Sequence, residues 1–584
     1  MKSTSIIENI FQYPPESQWD AILRRPVADS EKIQDIAGVI LETVKNDGDR
    51  AVKACELKFD HVELTNLRVT EKEIADAKKQ IPPKLKEAIL TAKANIEEFH
   101  VAQKTEFPRI ETTPGVVCWQ KAVPIEKVGL YIPGGTAPLF STVLMLAIPA
   151  KIAGCKEIVL CSPPDKEGKI HPAILFAAIV SGVDKIFKAG GVQAIGAMAY
   201  GTESIPKVYK IFGPGNQYVT AAKQLVSLKD VAIDMPAGPS EVEVIADETA
   251  NPAFVAADML SQAEHGVDSQ SILATNSIEL TKKVVHEIEV QLEALPRKEI
   301  AGKALENSRI IVLKNDDEII KLTNRYAPEH LIIETRNYNE LAGQVVNAGS
   351  VFLGHYTPES AGDYASGTNH TLPTNGYARA YSGVNLDSFV KKITFQEISK
   401  KGILNLAETI QILAEYESLQ AHKNAVSLRI DSFSSALHIP YTISLGIIDY
   451  GSSDYLGMCK LRDEVLRKPI GLRLTEAETL RDKNDALIVC SKNEEALACC
   501  ILTENDSDTV QLRQMAVTPD YQQKGLGREL LLFAQKIAKE KRYSVIRMHA
   551  RKTAVGFYEK NGYKIIGDEF TEVGIPHFEM TKKI

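Results

Sequence analysis

Twice along this chain, short apolar runs alternate with helices rich in small residues, and that alternation constrains the fold more than any other feature. It begins near Val116, where Val128–Ile132 and Glu157–Cys161 read as strands separated by small-residue helices. It continues with strands at Val242–Ala246, Ser271–Ala274, Ile310–Leu313 and Leu331–Glu334, and with helices at Ala253–Glu264 and Thr281–Ala294. Strand–helix alternation of this kind predicts parallel sheets covered by helices. We therefore expect two incomplete Rossmann-like α/β units, at about 116–238 and 240–380. The segment Asp29–Phe99 carries helical spacing, as in Ile33, Ile36, Ile40 and Val44, and predicts a helical N-terminal part. After about Tyr381 the pattern predicts a helical tail ending near Leu428. A Ser-rich stretch within 431–442, closing at Pro440, reads as a linker. A fresh pattern from Ile443 to Ile584 predicts a separate domain.

A chain of 584 residues is too long for one core. Its 44% hydrophobic and 25% charged residues are those of a soluble globular protein. The net charge of −8 argues against a general nucleic-acid binder, which needs a basic surface. The eight cysteines include no CxxC pair, which suggests reduced thiols in a cytoplasm. Met1–Asp20 lacks the apolar region of a signal peptide. The uncharged stretch Val128–Ala150 is long enough to span a bilayer, but Pro133, Gly134, Gly135, Pro138 and Pro149 suit a continuous helix badly. A Pro-Gly-Gly loop feeding a buried helix explains it better.

Three segments concentrate groups able to bind metal or move protons: Gln262–His265, Pro328–Leu331 and Gly362–His370. A fourth, Glu417–His422, lies in the tail. Gln262 and His265, three apart on a predicted helix, share a face and suit two ligands of one Zn²⁺. A polar surface face is the commoner outcome of that spacing. Glu329 and His330 can supply an acid and a base. As sequence neighbours they would point apart in an extended stretch, so a turn must bring them to one pocket. Asp363 and His370 sit in a Gly/Ser/Thr-rich loop, a usual place for site residues. There is no HExxH helix and no GxGxxG fingerprint after the early strands.

Taken in order, Tyr131–Phe140, Gly190–Ile195, Gly213–Val219, Ala237–Glu241 and these polar segments resemble histidinol dehydrogenases over about residues 1–430. The resemblance implies oxidation of L-histidinol to L-histidine through histidinaldehyde, with two hydrides passing to NAD⁺. It implies Gln262, His265, Asp363 and His422 as zinc ligands, and Glu329 and His330 as the catalytic pair. Tyr131, Gln193 and Asn216 match the family's NAD contacts. Ser240, His370 and Glu417, with Gln262 and His265, match its histidinol contacts. It further implies a homodimer in which the tail histidine completes the neighbouring subunit's zinc site. A zinc hydrolase using Glu329 as its base is a competing reading. A thiol-dependent aldehyde dehydrogenase is disfavoured, because no cysteine joins the polar cluster.

In the last domain, the strand end Gln514–Val517 leads through Pro519–Gly527 into a helix over Arg528–Lys539. The Gln522-x-x-Gly525-x-Gly527 loop offers bare backbone N–H groups at a helix start, an anion site. With Ala554–Tyr563 after it and Leu461–Ile470 before it, residues 443–584 resemble a GNAT-type N-acetyltransferase, an α+β fold. Acetyl-CoA is the implied ligand, its pyrophosphate on residues 522–527. Tyr558 matches the residue that protonates the leaving thiolate, a packed aromatic being the alternative. His577 is a candidate site residue. A regulatory domain that binds acetyl-CoA without turnover is the competing reading, and the acceptor amine is not legible.

Overall fold

The structure, a computed structural model, describes residues 9–26, 30–134, 138–236, 238–434, 443–492 and 495–584. The chain divides into two compact units: Met1–Ile110 with Cys118–Gln396, and Glu111–Val117 with Glu397–Ile584.

The first unit holds two parallel sheets. One runs Lys185–Lys188, Glu157–Ser162, Lys127–Tyr131, Lys210–Phe212, Ala232–Ile233 across its width. Its strands are near-continuous apolar runs because both faces are covered. Val128, Leu130 and Leu160 pack on helices Pro83–Val101, Phe140–Ala153 and Pro172–Val180. Tyr131, Val159 and Cys161 face helices Ser30–Asp47, Gly191–Tyr200 and Gln217–Ser227. The stretch long enough to span a bilayer resolves into a strand and a buried helix. Among the described residues no helix is long and apolar enough to cross a membrane.

The second sheet runs Ile10–Gln12, Arg309–Val312, Gln270–Thr275, Glu241–Ala246, His330–Glu334, Ser350–Leu353. Apart from the N-terminal edge strand it repeats the order of the first, with the strand order reversing beside the first strand of each. The expected pair of Rossmann-like units is what the chain forms.

A separate three-stranded sheet joins Val390–Ile398, Val116–Pro124 and Ile110–Thr113. The stretch expected to be wholly helical thus begins with a strand. Its helices are Lys400–Tyr416 and Gln420–Ser434, the latter running into the stretch read as linker. Positions 435–442 of that stretch lie outside the described residues.

The C-terminal sheet has the order Ile443–Ile448, Ala486–Lys492, Glu495–Glu504, Thr509–Val517, Val545–Arg551, Ile575–Lys583, Lys564–Glu572. Its neighbours are antiparallel except Thr509–Val517 with Val545–Arg551, which run parallel and pair only over Thr509–Gln511 and Val545–Arg547. Beyond those residues the two strands part. Helix Leu526–Glu540 packs on one face, against Ile488, Ala498 and Cys500, and helix Ser453–Arg462 on the other, against Leu487, Cys499 and Ile501. This is the expected α+β domain.

Candidate active sites

The polar cluster of the first unit forms at the amino ends of the second sheet. Helix Asp316–Tyr326 ends at Ala327 in the left-handed region (φ 56°), and Pro328 and Glu329 lead into the strand that His330 begins. This bend brings Glu329 Oε2 to 3.8 Å from His330 Nδ1. Both side chains are buried. Glu241, first residue of the adjacent strand, holds the pair through its backbone. Its N–H donates to Glu329 Oε2 (2.9 Å), and its carbonyl lies 3.3 Å from His330 Nδ1. The Glu241 carboxylate is itself gripped by Arg25, with Nη2 at 2.6 Å.

His330 Nδ1 also lies 3.6 Å from Glu359, and Nε2 lies 3.6 Å from Asp363 Oδ1. Burial opposes charging of the ring, but Glu359, Glu329 and Asp363 outweigh it and push the His330 pKa to about 10. Burial raises the Glu329 and Glu359 carboxyls to about 8. His330 Nε2 is buried and has no hydrogen-bond partner among the described residues.

Gln262 is fully buried near the end of helix Pro252–Ala263. With its amide oriented to suit its neighbours, it donates to Glu359 (2.5 Å) and accepts from the Glu241 N–H (3.2 Å). His265 is not on the helix as expected: the helix ends at Ala263, and His265 follows its cap, Glu264, as an exposed residue. Its ring still approaches the cluster, because ligand atoms of His265, Glu359 and Asp363 all lie within 4.8 Å of one another. One nitrogen and two carboxylates form a donor set acceptable to Zn²⁺, and the gathered carboxylates suit a divalent cation. Glu359 escaped the sequence reading. Its signal is its place four residues before Asp363, on the same face of helix Glu359–Tyr364.

His370 bridges to the first sheet's covering helix: Nδ1 lies 2.9 Å from the Asp363 carbonyl and Nε2 3.1 Å from Thr142 Oγ1. Ser240 precedes Glu241 and is half-buried. Glu417 and His422 belong to the other unit, Glu417 capping helix Lys400–Tyr416 and His422 on the next helix, both exposed.

Tyr131, Gln193 and Asn216 stand at the carboxyl ends of the first sheet. The Tyr131 hydroxyl accepts from the Gly191 N–H (3.1 Å). Buried Gln193 donates to Glu56 (2.8 Å), and Asn216 caps helix Gln217–Ser227 through the N–H groups of Tyr218 and Val219. Gly213 must be glycine: its φ is +123°, and a Cβ there would lie 2.0 Å from the Tyr131 carbonyl oxygen. Cys155 is buried, and burial pushes its thiol up to about 12.

In the C-terminal domain, Gly525 caps helix Leu526–Glu540 with φ +88°. Gln522 donates to the Val517 carbonyl (2.9 Å). Gly527 lies against Met515, Val517 and Phe557, which a Cβ would meet at ordinary contact distance. Tyr558, on helix Val555–Lys560, is buried, its hydroxyl 3.6 Å from Met515 Sδ. Burial raises its pKa and keeps the phenol protonated. His577 is buried, with Nδ1 2.9 Å from the Ile575 carbonyl.

Parallel α/β units with an acid–base pair beside a donor set able to hold a cation fit an oxidoreductase or a hydrolase by class. Comparison with known proteins decides between them. Residues 23–430 match the histidinol dehydrogenase family, and residues 464–584 match the acetyltransferase (GNAT) domain. A histidinol dehydrogenase of Bacteroides fragilis is 68% identical over 422 residues, covering 72% of this chain and 99% of that protein. One from Escherichia coli is 54% identical, covering 71% and 96%. The crystal structure of histidinol dehydrogenase from Elizabethkingia anophelis has 56% identity and a TM-score of 0.72, covering 73% of this chain and 98% of that one. This chain belongs to the histidinol dehydrogenase family, enzymes of histidine biosynthesis, and carries a GNAT domain at its C-terminal end.

Proposed function

We propose that the first unit oxidises L-histidinol to L-histidine in two NAD⁺-dependent steps, with Zn²⁺ in the cluster of Gln262, His265 and Asp363. The observation that carries this reading is the buried, unpartnered Nε2 of His330, beside Asp363 and backed by Glu329. Nδ1 faces the Glu241 carbonyl, so Nε2 is the atom that would take the alcohol proton as hydride leaves, once a bound cation offsets the carboxylates that hold the ring charged. Glu329, raised by burial and held by the Glu241 N–H, is placed to activate the water that hydrates the aldehyde. His330 then assists the second oxidation. Zn²⁺ bound there would orient the imidazole and amine of the substrate and offset the carboxylate charge around His330. NAD⁺, the hydride acceptor, would lie on the Gly-rich carboxyl edge of the first sheet, against Tyr131, Gln193 and Asn216. Ser240 and His370 would hold histidinol. The test is absorbance of NADH from histidinol plus NAD⁺, with and without a chelator. Activity indifferent to metal removal refutes the zinc assignment, and absence of NADH refutes the oxidation.

Glu417 and His422, exposed on the tail, would complete the site of a partner subunit in a homodimer. Asp363→Ala and His422→Ala homodimers should then both be inactive. An equal mixture unfolded and refolded together should regain about a quarter of the wild-type sites. A mixture that forms mixed dimers yet stays inactive refutes the sharing.

The C-terminal domain would transfer acetyl from acetyl-CoA to an amine, with Tyr558 as acid, Gln522, Gly525 and Gly527 at the pyrophosphate, and His577 nearby. Acetyl-CoA binding without turnover would favour the regulatory reading. A cytoplasmic setting accords with the eight free cysteines.

A further inference from the structure

We propose that the acetyl acceptor of the C-terminal domain is an amino acid, its carboxylate held by Arg551. This rests on the reading that the domain transfers acetyl groups. Arg551 ends the strand Val545–Arg551, beyond the three residues over which that strand pairs with Thr509–Val517. It therefore borders the gap where the two strands part. Side chains alternate along a strand. Ile546, Met548 and Ala550 pack in the core under helix Leu526–Glu540, so Arg551 takes the opposite face. Its side-chain bond agrees: Nη2 donates to the Leu466 carbonyl (2.7 Å), in the helical segment that follows Ser453–Arg462. The face is opposite to that of the helix whose start forms the proposed pyrophosphate site. Arg551 is thus placed for a second substrate and not for the phosphates of the first.

Its electrostatic setting points to an anion. Of the other buried or half-buried arginines of this domain, Arg462 pairs with Asp482, Arg467 with Glu478, and Arg513 with Asp482 and Asp485. Half-buried Arg551 has no carboxylate within 4.0 Å among the described residues. Burial and the neighbouring Arg467 charge both disfavour its cation, and Tyr558 is near enough to act on it in the opposite direction. A desolvated guanidinium left unpaired is costly, and a bidentate carboxylate relieves that cost. Arg467 is already neutralised by Glu478, so one positive charge is left over, which matches a monoanionic carboxylate. In the reaction the amine nitrogen bonds to the acetyl carbon as the C–S bond breaks. Tyr558 gives its proton to the leaving thiolate, and the amine proton passes to water. The products are an N-acetyl amino acid and free CoA thiol.

The test measures free CoA thiol released by the full-length protein from acetyl-CoA with matched acceptors: L-histidine against histamine and L-histidinol, L-lysine against cadaverine, L-tyrosine against tyramine. We expect an amino acid to exceed its carboxylate-free partner by at least about tenfold in kcat/KM, the worth of one charge-assisted contact. Arg551→Met should raise the KM of that amino acid by about tenfold or more, with kcat and the KM for acetyl-CoA nearly unchanged. Arg551→Lys should recover part of the loss. Retained acetyl-CoA affinity, measured by calorimetry, shows that the variant is folded. Equal or better use of the carboxylate-free amines overturns the proposal, as does an unchanged KM in a folded Arg551→Met. Acetyl-CoA binding with no acceptor turned over also overturns the acceptor class. Failure to bind acetyl-CoA at all overturns instead the transferase reading beneath it.

Discussion

Replacing Arg25 with methionine should damage both the stability and the chemistry of the first unit, because one ion pair supports both side chains of the proposed catalytic pair. Arg25 Nε lies 3.0 and 2.9 Å from the two carboxylate oxygens of Glu241, and Nη2 lies 2.6 Å from the second. Nη2 also donates to the Tyr326 carbonyl (2.8 Å), and the guanidinium stacks 4.0 Å from the Tyr326 ring. The side chains are 17% and 3% exposed, so solvent cannot replace what the substitution removes. The Asn375 N–H still reaches the Glu241 carboxylate, but no cation among the described residues does. Removing one member of a buried pair costs about 3–5 kcal/mol. The protein has two tryptophans, Trp19 and Trp119, both in the first unit, so their fluorescence in a urea titration follows that unit alone. We expect Arg25→Met to lose about 3–5 kcal/mol by this measure. NADH formation should fall under conditions where the variant is still folded, because Glu241 moves and carries its bonds to Glu329 and His330 with it. Adding Glu241→Gln removes the stranded charge and should recover about 1 kcal/mol or more of the loss. A loss under about 0.5 kcal/mol, the scale of an ordinary surface change, would refute the claim that this pair supports the site.

Three further outcomes are expected. Glu329→Gln should slow oxidation of histidinaldehyde more than that of histidinol, because only the aldehyde step needs activated water; equal losses measured with the two substrates count against the role. Gly525→Val should weaken acetyl-CoA binding at least about tenfold, since φ +88° disfavours a β-branched residue and the side chain fills the pyrophosphate approach; unchanged affinity in calorimetry rejects the loop assignment. Asp258 and Glu334 are buried carboxyls raised by desolvation to about 6 and about 9, from ordinary values of 3.8 and 4.5. Their folded values lie above their unfolded ones, so the fold binds extra protons and these groups destabilise it increasingly as pH rises from about 4 to 9. The first unit's urea midpoint should therefore decline over that range, and Glu334→Gln should flatten the decline; a variant with the wild-type slope dismisses the pair as its source.

Elements with strong local patterns were legible, and those held by distant partners were not. Glu157–Cys161 shows itself because a strand covered on both faces needs an unbroken apolar run. Ile10–Gln12 is three residues long, and its pairing with Ile310–Val312 spans about three hundred positions that no local pattern encodes. In Val390–Ile398 the apolar residues fall at 390, 393, 395 and 398, a mixed spacing, and most of the strand is exposed. It therefore lacks the strict alternation of a half-buried strand and passes for helix. The helix ends at Ala263, within one residue of the expected bound at Glu264, so the i, i+3 spacing of Gln262 and His265 does not place both on it. The polar residues of the site were visible as segments. Their convergence was not, because it depends on Glu241 and His330 starting neighbouring strands that lie some ninety residues apart in the chain. Glu359 was missed for the same reason, since a lone acid gains meaning only beside Asp363 and His265.

The two sheets of the first unit share one strand order, yet the proposed cofactor and substrate sites fall at opposite ends of them. In an open parallel sheet the carboxyl ends beside the order reversal normally form the ligand crevice. In the first sheet that edge is glycine backbone with its polar groups already bonded: the Gly190 N–H donates to Glu56 (2.8 Å), the Gly191 N–H to the Tyr131 hydroxyl (3.1 Å), and Gly213 is held by the Asp234 carboxylate on its N–H (2.8 Å) and the Lys223 ammonium on its carbonyl (2.8 Å). In the second sheet the corresponding edge is laced shut. Asp247 accepts from the Arg336 N–H (2.9 Å), tying the two strands at the reversal together. Asp316 joins Asn276 (3.2 Å) to Asn337 (2.9 Å), and Glu334 and Asp258 are buried beneath. The two edges therefore differ in bulk: glycines leave room for a close approach on the first sheet, whereas side chains fill the edge of the second, which fits the proposed placing of its site at the amino ends. There Glu241, Glu329 and His330 meet Gln262, which lies near the end of a helix running back along the sheet. A dinucleotide placed on the first sheet and a substrate placed at the amino edge of the second therefore need no shared strand end. His370, bonded to both Asp363 and Thr142, ties the two supports together, and so does Asn369, which donates to the Met145 carbonyl (2.6 Å).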